Sequence, residues 1–240
     1  MSLLACVKAP KTVLILFETI PIPVSLISNK IFEISFTSLN CFTETFTKPS
    51  FVNLTAFPIK FIRSSKKIGN PVRNAIRQIQ PPIKRFKNRK GPLRLLIVGG
   101  SLGAKFFNDT IPLSIKKMHP KNRPTIIHQS GEKHFQELKA AYKKSDIKAD
   151  CRAYLDNIEK VYEWADFVIA RSGALTVSEF SAAGIPSLLV PFPFAVDNHQ
   201  FYNAKYLSDK KAARLIIQEE FTADLLSGLL QEMTRKKCLI

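Results

Sequence analysis

The stretch ADFVIARSGALTVSEFSAAGIPSLLVPFPFAVDNHQFYNAKYL, from Ala165 to Leu207, decides the fold. Phe167 to Ala170 is a short apolar run, the composition of a strand buried on both faces. Arg171, Ser172 and Gly173 follow as a tight turn, and a helix-length segment then runs to Gly184. A second apolar strand spans Ser187 to Val190 and leads to a polar loop, Asp197 to Gln200. Strand, tight turn, helix, strand is the parallel crossover unit of an α/β sheet. Ligands of open sheets bind outside the carboxyl ends of the strands, so Arg171 to Glu179 and Asp197 to Gln200 mark the expected site.

The same alternation extends upstream. Leu93 to Val98 has the length of a buried parallel strand and ends in Gly99, Gly100, Ser101, Leu102, Gly103 and Ala104, before a helix that reaches about Met118. Thr125 to His128 predicts another strand, followed by Gln129, Ser130, Gly131 and a helix over Glu132 to Lys144. His128 fits a core or loop histidine better than a catalyst. Cys151 to Leu155 predicts a further strand, and Val161 to Trp164 a short helix before the central one. Strands and helices that alternate in this way specify a Rossmann-like doubly wound parallel sheet with right-handed crossovers. Residues 93–240 are therefore one α/β domain.

Residues 1–67 differ in kind: they are rich in Phe, Ile, Thr, Ser and Pro, and the first glycine of the chain is Gly69. An α/β domain needs glycine at tight turns, so this segment is expected to be divergent or to fold against something else. Asn70-Pro71 forces a turn, and residues 68–92, with Pro81, Pro82 and many Lys and Arg, read as an interdomain linker.

Composition bounds the function classes. The chain carries 36 basic against 19 acidic side chains, a formal charge of +17. Between Thr45 and Asn108 no acidic residue occurs, while fourteen Lys and Arg do. Such a face attracts an anionic leaflet at roughly 1 kcal/mol per basic residue near the surface, or it is a solvated linker face. No zinc-finger, RNP or basic-zipper pattern points to nucleic acid. Cys6, Cys41, Cys151 and Cys238 form no C-x-x-C pair, which suits reduced thiols. No uncharged apolar run reaches the ~18 residues that cross a bilayer, and no signal peptide is expected.

Several residues carry chemistry. Glycines after a strand let a ligand approach the backbone, and the N-terminus of the next helix presents N–H groups suited to phosphate, so Gly99, Gly100 and Gly103 form a candidate phosphate loop with Ser101 as its hydroxyl. The pattern is neither G-x-G-x-x-G nor a Walker loop. Glu179 has two readings: a carboxylate that accepts hydrogen bonds from ribose hydroxyls, or the glutamate of a capping box Thr176-Val177-Ser178-Glu179. There is no D-x-D, so no metal bridge to a sugar diphosphate is indicated, and no G-x-S-x-G or H-E-x-x-H suggests hydrolysis.

RSGALTVSE, AAGIP, VPFP, DNHQ with the later NA, and GNPVR at Gly69 to Arg73 stand in the order found in a known family. The chain resembles the bacterial N-acetylglucosaminyltransferases that convert lipid I to lipid II in peptidoglycan synthesis, chiefly their donor-sugar half. The resemblance implies a GT-B glycosyltransferase, peripheral on the cytoplasmic face of the inner membrane, that takes UDP-N-acetylglucosamine as donor and lipid I as acceptor. It implies inversion at the anomeric carbon with no metal and no cofactor. Residue by residue, it implies that Arg73 approaches the donor, Ser101 meets the phosphates and Leu155 lies by the uracil. Ala174, Leu175, Thr176, Val177, Ser178 and Glu179 would hold the nucleoside and phosphates, with Glu179 on the ribose. Gln200, with His199 adjacent, would read the sugar hydroxyls. Two departures bear on catalysis: the family's G-G-T-G-G-H acceptor loop has no counterpart, and Phe194 stands where P-F-P-H has its histidine. The catalytic base is thus unassigned, and the alternative is a donor-binding subunit or remnant that needs an acceptor-binding partner.

Overall fold

The computed structural model describes residues 53–55, 65–67, 70–100 and 103–239. The expectations for residues 1–52, and those for Gly69 and Ser101, lie outside them. The chain divides into two units, Met1–Pro71 and Val72–Ile240. In the first, strands β1 (Asn53–Thr55) and β2 (Ser65–Lys67) pair in parallel, Asn53 with Ser65 and Thr55 with Lys67.

The second unit holds a six-stranded sheet. Its strands are β3 (Arg94–Val98), β4 (Thr125–Gln129), β5 (Asp150–Arg152), β6 (Phe167–Ala170), β7 (Ser187–Leu189) and β8 (Ala213–Leu215). Every pairing is parallel and the spatial order is β5-β4-β3-β6-β7-β8. Eight helices accompany it among the described residues: α1 (Asn74–Arg77), α2 (Pro82–Phe86), α3 (Lys105–Lys117), α4 (Phe135–Lys144), α5 (Ile158–Trp164), α6 (Ala174–Ala183), α7 (His199–Ser208) and α8 (Ala223–Glu232). The expected doubly wound parallel sheet is present, with β3, β4, β6 and β7 close to their expected bounds. The larger differences are at β5, which ends before the expected Leu155, at α4, which starts after the expected Glu132, and at α5, which starts before the expected Val161.

Alternation along the strands divides the core into two layers. Leu95 and Ile97 of β3, Phe167 and Ile169 of β6, and Leu188 of β7 face one layer with Phe107, Ile111 and Ile115 of α3, Tyr142 of α4, and Leu226 and Leu230 of α8. Leu96, Val168, Ala170 and Leu189 alternate with them on the other face and are equally buried. This second face is where α1, α5 and α6 meet. Burial on both faces explains why these strands read as continuous apolar runs.

Residues 74–92 are held to the domain by arginine. The buried Arg85 donates to the Ala183 carbonyl (2.7 Å) and the Gly184 carbonyl (3.2 Å), which end α6, and to Gln80 (2.7 Å). Burial lowers its pKa to about 10. Gly184 closes that helix at φ +58, where a left-handed residue satisfies the last carbonyls. Arg89 pairs with the Asp166 carboxylate (2.6 Å) and donates to the Trp164 carbonyl (2.9 Å). Two of the fourteen cations in the acid-free stretch are therefore internal fastenings rather than parts of a solvated face.

Candidate functional site

The sheet order creates a switch point. From β3 the chain moves outward to β4 and β5, then returns to place β6 on the other flank of β3 and continues to β7 and β8. The tips of β3 and β6, where Val98 is paired with Ala170, thus lie side by side with their connections departing in opposite directions. A crevice opens at such a place, and it is where open α/β sheets take ligands. The glycine turn after β3 and the Arg171-Ser172-Gly173 turn after β6 both start there.

The two turns are built differently. After β3 the Gly103 N–H donates to the Gly100 carbonyl (2.9 Å). Gly103 has φ +74, and a Cβ on it would fall 1.9 Å from the Ser130 carbonyl oxygen. Only glycine lets this turn pack against the loop after β4. Gln129 Nε2 donates to the Gly100 carbonyl (2.7 Å) and Asn108 Nδ2 to the Ser130 carbonyl (3.2 Å), which fix both loops. The N-terminus of the thirteen-residue α3 follows directly.

After β6 the fastening is by side chains. Ser172 is fully buried; its Oγ donates to the Gln200 carbonyl (2.8 Å) and its own carbonyl accepts from Asn203 Nδ2 (3.0 Å). This ties the turn to α7. Arg171 donates to the Val190 (3.2 Å) and Pro191 (3.0 Å) carbonyls and to Gln218 Oε1 (2.5 Å). Its guanidinium stands over the Phe107 ring (4.8 Å) and the Phe192 ring (5.5 Å). Burial lowers its pKa to about 10, so it stays cationic at neutral pH. Arg171 is a strut that joins the strand tips on a positive charge.

Glu179 forms no capping box. Helix α6 starts at Ala174, its N-cap is Gly173, and no side chain caps it, so Thr176 to Glu179 lie inside the helix and form no capping box. The carboxylate is instead turned to two other elements. Arg73 Nη2 lies 3.0 Å from Oε1, and the Tyr162 hydroxyl donates to Oε2 at 2.9 Å. Glu179 is 14% exposed and Arg73 49%. Arg73 and Glu179, two candidates from distant parts of the sequence, are thereby in contact. Tyr162, on α5, was not a candidate. Its ring is buried edge-on against Phe180 (centroids 5.4 Å, 74°), and burial, followed by the Glu179 charge, pushes its hydroxyl well above the ordinary phenol range. The sequence offers no sign of this role, because a tyrosine in a short amphipathic helix reads as core.

The remaining candidates fall as follows. Val177 is buried, Ser178 donates to the Ala174 carbonyl (2.8 Å), and Leu175 is exposed. First-turn amides are therefore what α6 presents most directly to an anion. Leu155 is buried in the loop after β5. Gln200 Oε1 accepts from the Phe192 N–H (3.0 Å), and His199 Nδ1 meets the Val196 carbonyl (2.7 Å). Asp197 and Asn198 hold left-handed φ of +51° and +54° just before α7, a conformation Asp and Asn tolerate better than most residues. His128 is fully buried beside the Tyr142 hydroxyl (2.9 Å), and burial lowers its pKa to about 3, so it is a neutral core histidine. Among the described residues no three His, Cys, Asp or Glu side chains converge as a metal site.

Residues 94–239 match the model of the glycosyltransferase family 28 C-terminal domain. The UDP-N-acetylglucosamine--N-acetylmuramyl-(pentapeptide) pyrophosphoryl-undecaprenol N-acetylglucosamine transferase of Dechloromonas aromatica (strain RCB) is 44% identical over 78% of this chain and 52% of its own length. The enzyme of the same name from Azoarcus sp. (strain BH72) is 45% identical over 72% of this chain and 48% of its own. Among solved structures, Acinetobacter baumannii MurG superposes with a TM-score of 0.69 at 34% identity, covering 78% of this chain and 53% of that one. The chain thus spans about half the length of the curated relatives it matches. With a parallel sheet and, at its switch point, a glycine turn and the helix that carries Glu179, the chain belongs to the glycosyltransferase family 28 C-terminal domain family.

Proposed function

We propose that this chain binds UDP-N-acetylglucosamine at the β3–β6 switch point and supplies the donor half of a transferase that converts lipid I to lipid II. The observation that carries this reading is the Glu179 carboxylate, held by two side chains on the helix that leaves the β6 tip, beside a glycine turn that only backbone can fill. Glu179 accepts hydrogen bonds from the uridine ribose hydroxyls. The amides of the Gly99 to Gly103 turn and of the first turns of α3 and α6 meet the diphosphate, with Ser101 adding its hydroxyl. Leu155 packs by the uracil, and Gln200 and His199 read the sugar.

These groups matter most as the bond to the anomeric carbon breaks. Negative charge then develops on the departing UDP, and fixed amides and Arg73 favour that state over the intact donor. No metal is needed for that stabilisation, and attack from the face opposite the diphosphate inverts the anomeric centre. The attacking lipid I hydroxyl loses its proton to a base outside the residues named here. A second reading is a donor-binding subunit that an acceptor-binding partner completes; the glycine-free composition of the first 65 residues is the observation that favours it.

Calorimetry tests the donor site: UDP-N-acetylglucosamine is expected to bind wild-type protein and to bind Glu179→Ala far more weakly. No heat with wild type, or equal affinities, defeats the assignment. Lipid I conversion by the chain alone excludes the partner reading.

Peripheral contact with the anionic cytoplasmic leaflet belongs to the same proposal. Ile83, which is 69% exposed, lines a groove of about 600 Å³ with Leu239, Lys84, Lys87 and Lys236. These three lysines have no acidic partner among the described residues, so exposed aliphatics are ringed by cations, an arrangement complementary to anionic headgroups. Phosphatidylglycerol vesicles are expected to sediment the protein at low salt and release it at high salt. No co-sedimentation at low salt retires the contact.

A further inference from the structure

We infer that Tyr162 is the positioning residue for Glu179, orienting its carboxylate for a ribose diol; this rests on the reading of Glu179 as the ribose ligand. A glutamate on a helix surface has three rotatable bonds and samples many orientations, only some of which face a bound nucleoside. Glu179 is constrained at both oxygens, but the constraints are unequal. The Tyr162 hydroxyl reaches Oε2 from a buried ring wedged edge-on against Phe180, whereas Arg73 reaches Oε1 from a half-exposed side chain. Arg73 can leave when a ligand arrives; Tyr162 has nowhere to go. Each carboxylate oxygen accepts more than one hydrogen bond, so Oε2 can keep the tyrosine while Oε1, given up by Arg73, accepts from the ribose. Towards an ionised carboxylate, which has no proton to give, the phenol can only donate. A hydrogen bond of this kind favours the ionised carboxylate that two ribose hydroxyls require.

Tyr162→Phe keeps the ring against Phe180 and removes the one hydroxyl that touches Glu179. The test compares UDP with 2′-deoxy-UDP on the full chain, by calorimetry, for wild type, Tyr162→Phe, Glu179→Ala and the double variant. Wild type is expected to prefer UDP. Tyr162→Phe is expected to weaken UDP roughly tenfold and 2′-deoxy-UDP, which keeps only the 3′-hydroxyl, by clearly less, since a hydrogen bond to a charged group is at stake. In the Glu179→Ala background Tyr162→Phe is expected to change nothing further. If Glu179→Ala keeps the preference for UDP, the ribose reading itself fails. If Glu179→Ala loses it but Tyr162→Phe keeps it, or if the two effects add, the positioning role is overturned and the ribose reading survives. A Tyr162→Phe protein that melts early and loses both ligands equally makes Tyr162 a structural residue and also overturns the proposal.

Discussion

At one end of β6 stands Asp166 and beyond the other end stands Glu179, two carboxylates that each meet arginine and yet do opposite work. Asp166 is fully buried: Arg89 reaches Oδ1 at 2.6 Å, Arg235 reaches Oδ2 at 2.7 Å, and the Arg94 N–H donates to Oδ2 at 3.0 Å. Arg235 goes on to the Gly91 (3.0 Å) and Pro92 (2.6 Å) carbonyls, so the network stitches the segment before β3 to the chain's last turns. Every partner is fixed and no place is left for a ligand. Glu179 has one fixed partner and one that solvent reaches, at the carboxyl ends of the strands. What separates a structural acid from a binding acid here is whether one of its hydrogen bonds can be exchanged.

Four substitutions break or sharpen that contrast. Asp166→Ala leaves the partly buried Arg89 and Arg235 without their counter-charge, and a loss of about 3 kcal/mol in urea unfolding is expected. A loss below 1 kcal/mol would mean that the network is no more structural than the Glu179 pair. Gly103→Ala forces a Cβ towards the Ser130 carbonyl at a positive φ, with an expected cost of about 2–3 kcal/mol and weaker UDP binding. Unchanged binding in a folded Gly103→Ala protein would remove the turn from the site. Glu179→Ala is expected to lower UDP affinity by about 1.5–3 kcal/mol, read by calorimetry. Its midpoint in urea should move less than that of Asp166→Ala, because Arg73 is already half in water and only the Tyr162 hydroxyl loses a buried partner; an equal shift would place Glu179 in the same class as Asp166. Lys205→Ala breaks an exposed i,i+4 pair with Asp209 (2.7 Å) and should cost less than about 0.5 kcal/mol, which calibrates an arginine-free surface pair against both.

The sequence reveals some of this and hides the rest for physical reasons. Strands β3, β6 and β7 were legible because burial on both faces removes polar residues from a short run. Their neighbours were not, since β3 and β6 lie adjacent only through a crossover that composition does not record. Thr176 to Glu179 imitates a capping box, and the helix began earlier because Gly173 took the cap position. The cations of residues 74–92 read either as a face for an anionic leaflet or as a solvated linker face. Arg85 and Arg89 instead turn inward to the carbonyl ends of α6 and α5 and, for Arg89, to Asp166, contacts set by tertiary packing. Tyr162 was invisible for the same reason: nothing in its own helix announces the carboxylate it meets.

The central claim is that a uridine diphosphate sits across the tips of β3 and β6 with its ribose on Glu179. A crystal structure of the chain with UDP tests it most directly. The expected result is both ribose hydroxyls within hydrogen-bond distance of Glu179, the diphosphate between the Gly99 to Gly103 turn and the first turn of α6, and Arg73 moved off Oε1. UDP bound elsewhere, with the 3.0 Å Arg73–Glu179 contact intact, would contradict it.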